Sequence, residues 1–213
     1  MGNAADWIAN KIAEGSDLEL VARPAADRLL VKAPGRDAFQ IAVLGVRDVI
    51  TVEHVSPLFQ GSDSPHFVVN IPSNTPWRGD AMMAIHEAPA AFGSLGDLGK
   101  AARLECPFLY REKQWGFFYD GISQHSNVRE VCPVYDRVFE AHRFRGAPLT
   151  IAMVDAYNMG AEDVRAALRR YKRFDIAVKM TSYGSVTSAA SEAAASFGAE
   201  ALMYGELMRR LAR

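Results

Sequence analysis

The stretch "PVYDRVFEAHRFRGAPLTIAMVDAYN" (residues 133–158) decides the fold. Two apolar runs flank the polar "RFRGAP", whose glycine and proline are turn chemistry at hairpin spacing. Each run carries one aspartate, Asp136 in the first and Asp155 at the end of the second. Strand alternation puts Val134, Asp136 and Val138 on one face, and Ile151, Met153, Asp155 and Tyr157 on one face of the next strand. Two acids so placed are expected to meet across a sheet and to hold a hard divalent cation such as Mg²⁺, which takes one or two carboxylates plus waters. The bland alternative keeps them apart: Asp136 pairs with Arg137 or Arg143, and Asp155 caps a turn before Gly160.

Downstream, "GAEDVRAALRRYKRF" (160–174) reads as a helix. Val164, Ala167, Leu168 and Tyr171 share a face, and Glu162 and Asp163 lie in the first turn, where the helix dipole favours anions. "DIAVKM" (175–180) reads as a strand. A helix from Ser188 to Phe197 follows, capped by Thr187 and closed by Gly198. "AEALMYG" reads as the last strand and "ELMRRLAR" as the last helix. Upstream, "FLYREKQWGFFYDG" is partly helical. The second half is therefore α/β, with a mixed sheet flanked by helices.

The first half reads differently. Residues 4–13 form a helix with Trp7, Ile8 and Ile12 on one face. The runs at 18–22, 28–33, 39–45, 49–55 and 66–72 are β-like and separated by turn residues. "AMMAIH" reads as a further strand, Trp77 is expected to fold back onto the sheet, and Asp97 to start a helix. The expectation is a β-rich N-terminal lobe over 1–95 and an α/β domain over 96–213. No internal repeat is visible.

Composition is that of a globular protein, 49% hydrophobic and 23% charged. No apolar run approaches the roughly 20 residues that span a bilayer, so no membrane partner is expected. The N-terminus does not read as a secretory signal. Two cysteines, Cys106 and Cys132, are not at zinc-ligand spacing and read as free thiols of a reducing, cytoplasmic setting. A Cys132–His125–Asp136 triad can be written, but nothing in the spacing brings it together. The net charge of −1 excludes wholesale coating of nucleic acid. Residues 101–213 hold 16 Lys/Arg against 13 Asp/Glu, and residues 1–100 hold 8 against 12, so a polyanion would meet the second half.

From "VYDRVF" and "IAMVDAYN" onward the chain resembles the PD-(D/E)xK, or restriction-endonuclease-like, superfamily. There one strand carries an Asp, the next an acid-x-Lys, and a helix, strand and helix follow. The tail "SVTSAASEAAASFGAEALMYGELMRRL" is similar to the closing segment of Mrr-type members. The resemblance covers roughly residues 100–213. It implies a restriction-endonuclease-like α/β domain, Asp136 and Asp155 as metal ligands, and metal-dependent hydrolysis of a phosphodiester in DNA or RNA. The family's lysine falls at Tyr157, and a phenol, titrating at about pH 10, is neutral at pH 7. Three readings stay open: Tyr157 fills the lysine's place in a dead site, a cation migrates in from Lys179 or Arg165, or the resemblance is architectural only. In the dead-site case the expected partner is nucleic acid or a protein, bound without catalysis. Arg165, Arg169 and Lys172 fall at i, i+4 and i+7, with Arg173 adjacent, and such a basic stripe either grips phosphates or is a solvated helix face.

Overall fold

The computed structural model describes residues 4–61 and 63–213. The chain packs as two units, Met1–Glu112 and Lys113–Arg213, each built on its own five-stranded sheet. The fold is α/β, as expected. The segment from 96 to 112 packs with the first unit, since Leu98, Ala101 and Ala102 enter its core.

In the first unit the order is α1 (Ala4–Ala13), β1 (Glu19–Ala25), β2 (Arg28–Lys32), β3 (Phe39–Leu44), α2 (Val52–Val55) running into a 3₁₀ turn (Ser56–Phe59), β4 (Phe67–Asn70), α3 (Gly79–Glu87), β5 (Ala91–Gly93) and α4 (Leu95–Ala101). The sheet runs β1-β2-β3-β4-β5, with β1, β2 and β3 antiparallel and β3, β4 and β5 parallel.

In the second unit the order is α5 (Lys113–Ser123), β6 (Val128–Tyr135), β7 (Val138–Arg143), β8 (Leu149–Val154), α6 (Ala161–Tyr171), β9 (Ile176–Lys179), α7 (Ser188–Ala195), β10 (Glu200–Met203) and α8 (Tyr204–Leu211). Its sheet runs β10-β9-β8-β7-β6, again antiparallel through β6, β7 and β8 and parallel through β8, β9 and β10. Alternation sends Ile151, Met153, Ile176 and Val178 into a core with Phe118 of α5 and Leu207 of α8. Ala152, Val154 and Ala177 go the other way, to Val164 of α6 and Ala190 of α7.

The two units are the same architecture. Among the described residues, each of the nine α-helices and strands just given for the first unit recurs in order 109 or 110 residues later: Ala4 and Lys113, Glu19 and Val128, Arg28 and Val138, Phe39 and Leu149, Val52 and Ala161, Phe67 and Ile176, Gly79 and Ser188, Ala91 and Glu200, Leu95 and Tyr204. The agreement reaches single hydrogen bonds. Val43 N donates to Asp27 O at 2.9 Å, and Met153 N to Arg137 O at 2.8 Å. The isolated bridge Ile50–Trp77 is matched by Met159–Val186. It also reaches the cores, where Ile41, Val43, Phe67, Val69 and Leu98 correspond to Ile151, Met153, Ile176, Val178 and Leu207. The internal repeat is thus present in the fold although the sequence does not display it. Burial selects apolar character and volume, and identity drifts beneath that constraint.

Several local expectations change. "VITVEHV" (49–55) is not a strand: Thr51 starts α2, with His54 in its N3 position accepting from Thr51 N at 3.2 Å. "AMMAIH" lies in α3, where Ala81, Met82 and Ile85 are buried; alanine and methionine favour helix when packing permits it. Trp7 is exposed while Ala5, Ile8 and Ile12 form the buried face of α1. Trp77 is buried against Phe92, ring centroids 4.7 Å apart. Among the described residues no helix is long and apolar enough to cross a membrane.

Candidate functional site

The decisive local feature is where the opening stretch bends. Asp136 does not sit within a strand beside Val134 and Val138; with Arg137 it forms the two-residue turn between β6 and β7. "RFRGAP" makes the second hairpin, between β7 and β8. The Asp136–Arg137 turn therefore returns to the C-terminal end of β8, held there by Met153 N donating to Arg137 O. Asp155 follows directly after β8. Both acids lie at one end of the sheet.

At that end is a cleft of about 360 Å³ whose polar lining is Gln114, Arg137, Asp155, Asp163 and Arg170, above an apolar floor that includes Met153, Val154 and Tyr171. Helix α6 contributes Asp163, Ala166, Ala167 and Arg170, which its 3.6-residue period places on one face. Arg137 Nη1 donates to Gln114 Oε1 at 3.2 Å. Asp163 is spent on the helix start, accepting from Gly160 N at 2.8 Å. Asp155 is exposed, and its carboxylate makes no hydrogen bond or ion pair among the described residues. Asp136 lies 4.0 Å from Arg170, whose guanidinium also stands 5.0 Å over the Tyr171 ring. A partly exposed pair at that distance is worth about 1 kcal/mol or less, so an incoming anion can compete for Arg170. Burial pushes the Tyr171 phenol well above its ordinary value, and the Asp136 carboxylate adds to the shift, so the hydroxyl stays protonated beneath the cleft.

The other sequence-derived candidates lie elsewhere. Tyr157 is 70% exposed and does not line the cleft. Lys179 is fully buried at the end of β9; its ammonium donates to Thr181 O at 2.7 Å, to Thr181 Oγ1 and to Tyr183 O. The corresponding residue of the first unit, Asn70, is also buried and donates to Pro72 O at 3.0 Å and to Val46 O at 3.0 Å. Both fasten the loop after the middle parallel strand, which marks Lys179 as a structural tie. Arg165, Arg169, Lys172 and Arg173 are exposed. Arg169 pairs with Glu162, and Lys172 has left the helix with φ +66°, so the continuous stripe does not form. Cys132 and His125 are separate: His125 Nε2 bonds Met208 O at 3.1 Å while Nδ1 accepts from Asn127 N at 3.2 Å.

The cleft residues that sequence reasoning did not assign to the site are Arg137, read only as a possible partner of Asp136, and Arg170 and Gln114. Arg170 was legible as i+7 from Asp163, and Arg137 as the second residue of a two-residue turn once that turn is recognised. None of the cleft's working side chains recurs in the first unit. Asp136, Arg137 and Asp155 correspond to Ala26, Asp27 and Gly45, and Arg170 to Gly61. Comparison with protein-family models, curated proteins and solved structures found no match.

Proposed function

We propose that the C-terminal unit is a nuclease-like domain that binds a nucleic-acid phosphodiester in the cleft at the end of β8. The observation that carries this reading is the pair of guanidiniums, Arg137 and Arg170, facing one cleft beside Gln114. Planar guanidinium donors match phosphate oxygens in a bidentate, charge-assisted geometry. The resemblance to the PD-(D/E)xK superfamily supports it: Asp136 before β7, Asp155 after β8, then α6, β9 and α7 follow in the order which that family implies. Removing one phosphate contact by Arg170→Ala is expected to weaken binding of DNA or RNA and lower the slope of log affinity against log salt by about 1. Fluorescence anisotropy across a salt series measures both. Wild-type binding indifferent to salt would sink the reading and leave a protein as the partner.

A second reading, metal-dependent hydrolysis, is favoured by the unpaired Asp155 carboxylate. Asp155 with Asp136 suits Mg²⁺, which is commonly held by one or two carboxylates and completed by water and substrate phosphate. Such an ion would supply an activated water and charge stabilisation. Asp155 would hold it and Arg170 would orient the phosphate; Asp136, at the same end of the sheet but outside the cleft's lining, would have to leave its partners, Arg170 among them, to join it. The family's lysine has no counterpart in the cleft, because Tyr157 faces solvent and Lys179 is spent. Asp155→Ala is expected to abolish any Mg²⁺-dependent cleavage while leaving binding within a few-fold. Equal cleavage by wild type and variant removes this second reading.

A further inference from the structure

We infer that Tyr157 and Tyr183 form a stacking platform for unpaired bases, so that the strand whose phosphodiester occupies the Arg137–Arg170 cleft is single-stranded. This rests on the phosphodiester-binding reading above and specifies its substrate. Tyr157 and Tyr183 are 70% and 75% exposed, the two most exposed large apolar side chains among the described residues. They sit on separate loops, after β8 and after β9, at the end of the sheet that carries the cleft.

The two loops are tied to each other and to the sheet. Met159 N donates to Ser185 O at 2.9 Å and Thr187 N to Met159 O at 3.0 Å. Ser185 N donates to Asn158 Oδ1 at 3.0 Å. The buried Lys179 ammonium holds Tyr183 O, and Thr181 Oγ1 reaches Ala156 O at 3.2 Å. An aromatic ring held out in water on a pinned backbone gains nothing for the fold. The backbone share of its ordering cost is already met before a ligand arrives, which favours a stacking surface. Tyrosine presents a π-face to any base, whatever the sequence.

The first unit supplies an independent comparison. Its matching loops, 45–49 and 71–76, contain no aromatic residue, and Asn74 occupies the position that corresponds to Tyr183. The same unit lacks the cleft's aspartates and arginines. The exposed tyrosines and the side chains of Asp136, Arg137, Asp155 and Arg170 are present together in one copy of the architecture, and none of them is matched at the corresponding positions of the other. Shared use explains that pairing: arginines for the phosphate, which every nucleic acid offers, and tyrosines for a base face, which a duplex hides.

The test uses the full chain and a fluorescein-labelled oligothymidine about fifteen nucleotides long, with a duplex of equal length alongside. Single strand is expected to bind more tightly than duplex. Tyr157→Ala and Tyr183→Ala are each expected to weaken single-strand binding about tenfold, in the range known for one stacked base, with duplex binding unchanged. Tyr157→Phe and Tyr183→Phe are expected to retain the wild-type affinity. Alanine variants that bind the single strand like wild type, or duplex bound as tightly as single strand, overturn the platform while Arg170→Ala still reports on the cleft. If neither nucleic acid binds wild type, the cleft reading fails and the platform fails with it.

Discussion

Phe139→Ala is expected to destabilise the protein by roughly 3–5 kcal/mol, the range for truncating a fully buried phenylalanine. Phe139 is completely buried in β7. Its ring lies 5.0 Å from Phe118, 5.6 Å from Trp115 and 6.4 Å from Tyr119, centroid to centroid. Those three rings come from α5, so Phe139 is one of the core residues that join that helix to the sheet. Truncation removes the transfer energy of the ring and leaves a cavity that aromatic neighbours held by their own backbone cannot close. Gln114, which precedes Trp115 and binds Arg137, is carried on the same helix. Urea denaturation measures the loss. Leu29→Ala, the matching position in the first unit, is the comparison and is expected to cost about 2–5 kcal/mol. A Phe139 variant within 1 kcal/mol of wild type would show that α5 is not packed as described.

Gly184→Ala is the second large effect, about 2–4 kcal/mol, by a different mechanism. Gly184 has φ +76°, and a Cβ there would stand 1.9 Å from the carbonyl oxygen of Tyr157 and 2.7 Å from its carbonyl carbon. Both are backbone atoms, so the loop that follows Asp155 would have to move. Gly198→Ala separates the contributions: its φ is +81°, but nothing lies within 4 Å of the added carbon, so only the left-handed conformation is penalised, by about 1–2 kcal/mol. Thermal unfolding is expected to rank Gly184→Ala well below Gly198→Ala. Because the displaced loop carries Asp155 and Tyr157, Gly184→Ala is also expected to weaken nucleic-acid binding, whereas Gly198→Ala is not. Equal effects from the two would mean that the Tyr157–Gly184 contact does not constrain the loops.

The repeated architecture sharpens what counts as functional here. Buried polar groups occur at the same place in both units, Asn70 and Lys179, and each ties down the loop that follows its strand. A feature kept in both copies through different residues is doing the fold's work. The cleft chemistry and the exposed tyrosines are confined to the second copy, which separates them from what the architecture requires.

The sequence by itself determined part of the second unit, namely the "RFRGAP" hairpin, the 161–171 helix with its acidic first turn, and the Thr187-capped helix, while β6 as a separate strand went unread. Each rests on local chemistry, whether turn residues, helical periodicity or a cap. It also located Asp155 at the end of its strand. Only the tertiary structure decided that Asp136 turns the chain between two strands. A two-residue turn of Asp and Arg inside an apolar run carries no glycine or proline to announce it. Only the tertiary structure set Lys179 in the interior, since strand alternation assigns a face and does not say which loop carbonyls will receive the charge. The assembly of Arg137, Arg170 and Gln114 round one cleft, and the recurrence of the whole architecture, likewise depended on packing. Contacts between distant segments constrain burial and volume, and many different residues meet that constraint, so neither left a mark in the order of the letters.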